Sequence, residues 1–337
     1  MTQDQIHLQE KAAREGRAVA LAHPNIAFIK YWGNRDEALR LPANPSLSMN
    51  LGSLYTITRV TVDDNLAGDV LIINQTPVTG PALERVTLHL DLIRTQAGLR
   101  SAARVESESN FPIGSGIASS AAAFAALSVA GAAAAGLTLD EAGLSRLARR
   151  GSGSASRSIP TGYCQWVTGR DETSIATSIA PPDHWDLRDV IAIVSQEHKA
   201  IGSTGGHRLA QTSSLQAARL AGAAARLTAC REALLARNLA RMGPILEEDT
   251  VIMHAVMMLG QPPLYYWHST TMALIQATQQ WRAAGLPVYF TIDAGPNVHL
   301  ICEAAYVQSV EAEVRKISGI RDVLISGPGG PGRLIAW

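Results

Sequence analysis

Between Arg17 and about Gly80, apolar and polar residues alternate in short runs. RAVALAHPNIAFIKYW, SLSMNLGSLYTITRVTV and DVLIINQTPV read as strands broken by Asn-Pro, Gly and Asp-Asp turns. The pattern then turns helical. PALERVTLHLDLIRTQAG carries apolar residues at helical spacing, and SSAAAFAALSVAGAAAAG is a helix of small residues able to pack closely on a sheet. Thr138-Leu139-Asp140-Glu141 has the form of a capping box opening a helix to about Arg150. Strands return in YCQWVTG and DVIAIVSQE, and a long helical stretch runs from about Gly206 to Leu259. The tail alternates a helix near 272–284, the strands PVYFTIDAG and VHLICEA, a helix to about Lys316, and the strand RDVLISG. No repeat or linker separates the halves. A chain of 337 residues exceeds what one core usually serves, so two domains are expected, 1–185 and 186–337.

Composition narrows the ligand. Apolar residues make up 47% and charged ones 17%, with zero formal net charge and no basic block, so a nucleic-acid partner is not expected and a small molecule is. Cys164, Cys230 and Cys302 lie far apart among small or apolar neighbours, which suits reduced core thiols and neither a disulfide framework nor a metal knuckle. The first residues, MTQDQIHLQEKAAREGR, are polar and mixed in charge, and no apolar run approaches the roughly 20 residues of a membrane span, so a cytoplasmic protein is expected. Only four of the 29 basic residues are lysines, which directs attention to Lys30 between NIAFI and a Tyr-Trp pair. A half-buried ammonium costs free energy unless an anion meets it.

Three Gly/Ser-rich segments sit at junctions between elements. Pro112-Ile-Gly-Ser-Gly-Ile-Ala-Ser-Ser120 precedes the Ala-rich helix, where glycines and free N–H groups suit a phosphate, and Ser119 and Ser120 add hydroxyls. Taken alone, a turn with a serine cap explains it better. Gly151-Ser-Gly-Ser-Ala-Ser-Arg157-Ser could cradle an anion on a guanidinium fork, or simply connect two elements. Gly202-Ser-Thr-Gly-Gly-His207, just after Lys199, is a third such loop. Asp293 closes the apolar strand PVYFTI before Ala-Gly-Pro, where a strand can deliver a carboxylate into a cleft or merely turn. Walker A, Rossmann and H-E-x-x-H patterns do not occur.

In their order, NIAFIKYWGNRD, LPANPSLS, NFPIGSGIASSAA, GSGSASRS, GSTGGH and DAGPN resemble the mevalonate diphosphate decarboxylase family of the GHMP kinase superfamily, from about residue 22 to 300. The resemblance implies a two-domain α+β fold with the active site in the cleft between the domains, a homodimer, and ATP with Mg2+ as cofactors. It implies Pro112, Gly114, Ser115, Gly116, Ala118, Ser119 and Ser120 for ATP, with Ser120 also at the metal. Asp293, Lys30 and Arg157 are implied as catalytic. Tyr31, Asn34, Ser152, Gly153, Ser154, Arg157, Ser203 and His207 are implied around the substrate, a phosphorylated mevalonate.

Departures from the family pattern bear on the substrate. The family lysine after Y-W-G is Asn34 here; Ser156 stands for Cys, Gly202 for Ser and His207 for Met. Losing a cation beside a terminal phosphate weakens a diphosphate more than a monophosphate. The expectation is therefore decarboxylation of mevalonate 5-phosphate to isopentenyl phosphate, with the 5-diphosphate as alternative substrate. A mevalonate 3-kinase would be expected to lack the Asp293 and Lys30 pair.

Overall fold

The computed structural model describes residues 2–112, 119–197 and 201–336. Its first strand-like run divides at His23-Pro24. Proline has no N–H for a ladder, and the chain there leaves one sheet for another. Arg17–Ala22 lies in a six-stranded sheet and Asn25–Ile29 in a four-stranded one. The second run divides the same way, into Ser46–Asn50 beside Asn25–Ile29 and Thr56–Asp63 beside Arg17–Ala22.

The six-stranded sheet runs in the order Arg333–Ile335, Arg17–Ala22, Thr56–Asp63, Ala102–Ser109, Val70–Ile73, Thr76–Val78, antiparallel except where Val70–Ile73 meets Ala102–Ser109. The last described strand thus returns to the first sheet, with Val19 opposite Ile335. The second sheet orders Ala176–Ala180, Tyr163–Trp166, Ser46–Asn50 and Asn25–Ile29; the third orders Tyr289–Thr291, Val298–Glu303, Leu187–Ile193 and Asp322–Ser326. This is the mixed helix and sheet class that the sequence predicts.

The Ala-rich segment forms the helix Ser119–Ala134 and is buried on almost every side, as a helix apolar all round must be. The next helix, Glu141–Gly151, corrects the capping-box reading. Its cap is Asp140, whose carboxylate accepts from the Gly143 N–H at 2.7 Å, and Thr138 lies outside. Aspartate is the stronger cap of the two. The polar N-terminus, read without an element, forms the helix Gln3–Glu15, begun by the Thr2 side chain and ended by Gly16 in the left-handed region.

The long helical stretch is three helices, Ser203–Leu209, Gln216–Leu235 and Leu239–Met258. Arg237 takes a φ of 52°, and Asn238 then caps the last of them by accepting from the Arg241 N–H. Gln216–Leu235 and Leu239–Met258 pack on Asn25–Ile29, so one core joins Ile26, Phe28, Leu47 and Met49 to Leu227, Leu234, Met242 and Leu246. Every residue of Asn25–Ile29 is buried. Lys30 therefore emerges between the two halves of the chain. The three cysteines are free and buried, as expected. No described helix is long and apolar enough to cross a membrane.

Candidate active site

The segment after Asn25–Ile29 is held by the second half of the chain. The Lys30 N–H donates to Asp249 Oδ2 at 2.6 Å, and the Lys30 carbonyl accepts from Arg219 Nη2 at 2.6 Å and from Asn44 Nδ2 at 2.8 Å. Arg219 Nη1 also reaches the Trp32 carbonyl and Asn44 Oδ1. Asp249 closes the group by accepting from Arg226 Nε at 2.8 Å. Sequence reasoning missed Arg219 and Asp249, although a signal existed. Each falls on the buried stripe of its helix, Arg219 between Gln216 and Ala223, and Asp249 between Leu246 and Met253. A charge on an apolar stripe needs a buried partner.

Held this way, the Lys30 side chain is 1% exposed and its Nζ lies 2.5 Å from Asp293 Oδ1, with the Asp293 side chain 24% exposed to a cleft. Burial works against the Asp293 carboxylate, yet Lys30, then His299 and Arg157, outweigh it and hold the carboxyl below its usual range. Burial lowers the proton affinity of Lys30, opposed chiefly by Asp293. The pair is an ion pair at the edge of solvent. His254 Nε2 braces the Asp293 carbonyl from behind at 3.2 Å.

The cleft is a cavity of about 490 Å3. Its wall includes Lys30, Tyr31, Ser119, Ser120, Ser152, Gly153, Ser154, Arg157, Ser203, His207 and Asp293, which the sequence scattered over more than 260 positions. Tyr31 stacks on His207, with centroids 4.1 Å apart, and meets Trp166 edge-on at 4.7 Å. The Gly33 N–H donates to His207 Nδ1 at 3.0 Å, and burial drives that imidazole down to about 3, so it is neutral with its proton on Nε2. Gly33 has a φ of 91°, and a Cβ there would fall 2.8 Å from Gln216 Nε2; only glycine fits.

Asn34 stands apart from this group. It is buried behind Tyr31, whose hydroxyl donates to its Oδ1, and it does not line the cavity. Arg157 is buried with Nε and Nη2 on Asn25 Oδ1 and Nη1 on Ser46 Oγ at 2.7 Å; burial lowers it to about 10, and it keeps an edge on the cleft. Ser120 Oγ lies 3.1 Å from Ser152 Oγ and joins the two Ser-rich segments. Pro112 is not on the wall, and Gly114, Ser115, Gly116, Ala118 and Lys199 lie outside the described residues.

Two charged wall residues were absent from the sequence reading, Arg40 and Arg85. In a chain with this many arginines nothing local singles them out. Among the described residues no cluster of three or more His, Cys, Asp or Glu side chains could hold a metal. An ion that keeps water and phosphate oxygens as ligands needs less, and the Ser120 hydroxyl and Asp293 carboxylate supply oxygen donors suited to Mg2+.

Comparison with known proteins fits this geometry. Residues 22–180 match the diphosphomevalonate decarboxylase-like N-terminal domain, and residues 189–324 the mevalonate 5-diphosphate decarboxylase C-terminal domain. A diphosphomevalonate decarboxylase of Aspergillus fumigatus is 36% identical, over 93% of this chain and 83% of the fungal one. A phosphomevalonate decarboxylase of Haloferax volcanii is 32% identical, over 95% of this chain and 98% of its own. A solved structure of MDDEF in complex with MVAPP, AMPPCP and magnesium superposes with a TM-score of 0.90 at 36% identity, covering 95% of this chain and 99% of that one. With both halves matched by the family's own domains and full-length relatives above 30% identity, the chain belongs to the mevalonate diphosphate decarboxylase family of the GHMP kinase superfamily.

Proposed function

We propose that this decarboxylase converts mevalonate 5-phosphate and ATP into isopentenyl phosphate, ADP, phosphate and CO2. The observation that carries the choice of substrate is Asn34. Where the family pattern has a lysine, this chain has a neutral amide that is turned away from the cleft and occupied by the Tyr31 hydroxyl. A phosphate monoester carries up to two negative charges, a diphosphate up to three, and the missing ammonium is felt more by the latter.

The chemistry follows from the wall. A tertiary hydroxyl is a poor leaving group, so ATP first phosphorylates it. Asp293, kept ionised by Lys30, orients the C3 hydroxyl and takes its proton. The C3–O bond then breaks as the carboxylate carbon leaves as CO2, and the electrons of that C–C bond form the alkene. Lys30 steadies the departing phosphate, and Asp293, once it has passed that proton to water in the cleft it faces, steadies positive character at C3 as a carboxylate again. Arg157, already pinned by Asn25 and Ser46, orients the substrate carboxylate with its remaining donors. Tyr31 and His207 form the aromatic side of the slot, and Ser152, Gly153, Ser154 and Ser203 offer polar contacts along it. The Pro112 to Ser120 segment takes the ATP phosphates. Mg2+, held by those phosphates with Ser120, neutralises charge on them when bound. MDDEF binds an ATP analogue and magnesium, which supports this cofactor pair. The reading carries with it a homodimer working in the cytoplasm.

The 5-diphosphate is the second reading, favoured by the name of the Aspergillus relative. Comparison of kcat/KM for the two substrates decides between them. Mevalonate 5-phosphate is expected to lead by at least about tenfold, one lost charge contact being worth roughly 1.5–3 kcal/mol. A lead for the diphosphate overturns the proposal.

A further inference from the structure

Behind Asp293 a second pair of ionisable side chains is sealed in the third sheet. His299 Nδ1 lies 2.6 Å from Asp189 Oδ2, with the His299 side chain 2% and the Asp189 side chain 0% exposed. The strand register explains the contact. His299 on Val298–Glu303 stands opposite Thr291 and Ile191, and Asp189 on Leu187–Ile193 stands opposite Ile301 and Ser326, so the two are diagonal neighbours on one face of the sheet. Through Ile191 and Ile301 that face joins the core that holds Ile26, Phe28 and Leu47. Asp189 Oδ1 and His299 Nε2 are buried with no hydrogen-bond partner among the described residues, so each side chain depends on the other.

Stability does not account for the pair. A buried ion pair gains little over apolar residues of the same volume, and Ile191 and Ile301 beside it show that this face accepts them. Its position gives it a use. Asp293 follows Thr291, the register partner of His299, by two residues, and after Lys30 no charge acts on the Asp293 carboxylate more strongly than His299. Burial raises the Asp189 carboxyl, opposed first by His299 and then by Lys30. The other titratable groups around this cluster are Arg157 of the turn Gly153–Ser158, Asp249 and the neutral ring of His254 on Leu239–Met258, and the Cys302 thiol on the opposite face of Val298–Glu303. The 2.6 Å separation is at the short end for N–H···O bonds, where charge-assisted ones lie.

We infer that Asp189 and His299 are a positioning pair for the catalytic carboxylate: Asp189 keeps a proton on the His299 ring, and the imidazolium backs Asp293 from the side that substrate does not reach. The inference rests on the reading of Asp293 as the base, and not on the number of phosphates on the substrate. Lys30 has two anions to serve in the proposed reaction, Asp293 and the departing phosphate. As the ammonium turns to the phosphate, Asp293 still has to give up the proton it took from the hydroxyl. A cation enclosed behind it cannot follow the phosphate. It stays with Asp293 and favours release of that proton to water in the cleft, which restores the carboxylate that C3 needs. The proton on the ring itself stays where it is throughout.

The test joins NMR of the ring to pH profiles of kcat/KM for ATP-dependent CO2 release, taken with whichever phosphorylated mevalonate the wild type prefers. Proton–nitrogen correlation spectra of the wild type at about pH 7.5 are expected to show an imidazolium at 299, assigned by its loss in His299→Lys, and Asp189→Asn is expected to discharge it. Between about pH 5 and 9 the acid limb should rise by about half a unit or more in His299→Gln and by less in Asp189→Asn, with KM for ATP within about threefold in both. His299→Lys puts a cation back beside Asp189 and should hold the limb within about 0.3 unit of wild type. A neutral ring at 299 in the wild type overturns the inference. So do coincident profiles of wild type and His299→Gln, or losses that track the melting temperature and are not recovered by lysine, which leave the pair a packing element. Asp293→Asn separates the two readings. A near-wild-type rate there removes Asp293 as the base and the inference with it, whereas a large loss there beside coincident profiles removes the pair alone.

Discussion

Lys30→Met removes the ammonium and leaves an unbranched apolar chain of similar length in its slot. With Nζ 2.5 Å from Asp293 Oδ1, Coulomb's law at an effective dielectric of about 20 gives an attraction of roughly 7 kcal/mol. Against this stands the cost of taking both charges out of water, so the loss on removing one partner comes to about 3–5 kcal/mol. Asp293 can relieve it by taking up a proton, since it faces the cleft. In the wild type its proton affinity is depressed, so it is ionised through the neutral range, and its contribution to stability disappears only as pH falls through that depressed value. In the variant, burial prevails over what Arg157 and His299 still supply, and the carboxyl titrates at higher pH. Profiles of kcat/KM for ATP-dependent CO2 release from about pH 5 to 9 read this directly. The variant is expected to show an acid limb at least about one unit above any in the wild type. Its maximal turnover should be lower by roughly two to four decades, the kinetic equivalent of that energy. Coincident acid limbs, or a variant within about threefold of wild type at its optimum, would refute the pairing as the source of Asp293's state.

Two further outcomes follow from the same geometry. A Cβ on Gly153 would fall 2.6 Å from Tyr31 Cε1 and Oη, so Gly153→Ala is expected to displace Tyr31 and cut kcat/KM about tenfold or more with little change in melting temperature, checked by kinetics beside calorimetry. Burial drives His89, His207 and His254 down to about 3, so between pH 6.5 and 3 the unfolded chain takes up protons that the folded one refuses. Stability present above pH 6.5 is therefore lost on acidification, by up to about 1.4 kcal/mol per pH unit for each ring. Burial lowers His23 as well, so urea melts from about pH 7 to 5 should show this slope, reduced by at most about a third in His89→Gln, and an unchanged slope counts against the assignment of a neutral buried ring at 89.

The positions of most strands and helices could be read from the chain, and so could every Gly/Ser-rich segment at the cleft, because periodicity and short motifs are local properties. The polar helix Gln3–Glu15 escaped because only Ala12 is buried and Leu8 half-buried, too few apolar positions to announce a stripe, and its other anchors are caps and hydrogen bonds from Gln5 and Gln9 to distant carbonyls. Asn34 illustrates the other limit. Its identity pointed to the phosphate end of the substrate, but the direction of its side chain depended on Tyr31, and that on the stacking of His207 from a distant helix.

What the sequence determined alone was the set of chemical groups and the family order in which they occur. Only the tertiary structure decided which of them meet. Lys30 and Asp293 are separated by 263 positions and become partners because two helices of the second half pack on Asn25–Ile29, with Arg219 and Asp249 gripping the backbone at Lys30. Arg40 and Arg85 become neighbours because successive carbonyls at one helix end hold both. A charge carries no local mark of its partner. The partner is set by which faces are apolar enough to be driven together, and the electrostatics of the cleft follow from that burial.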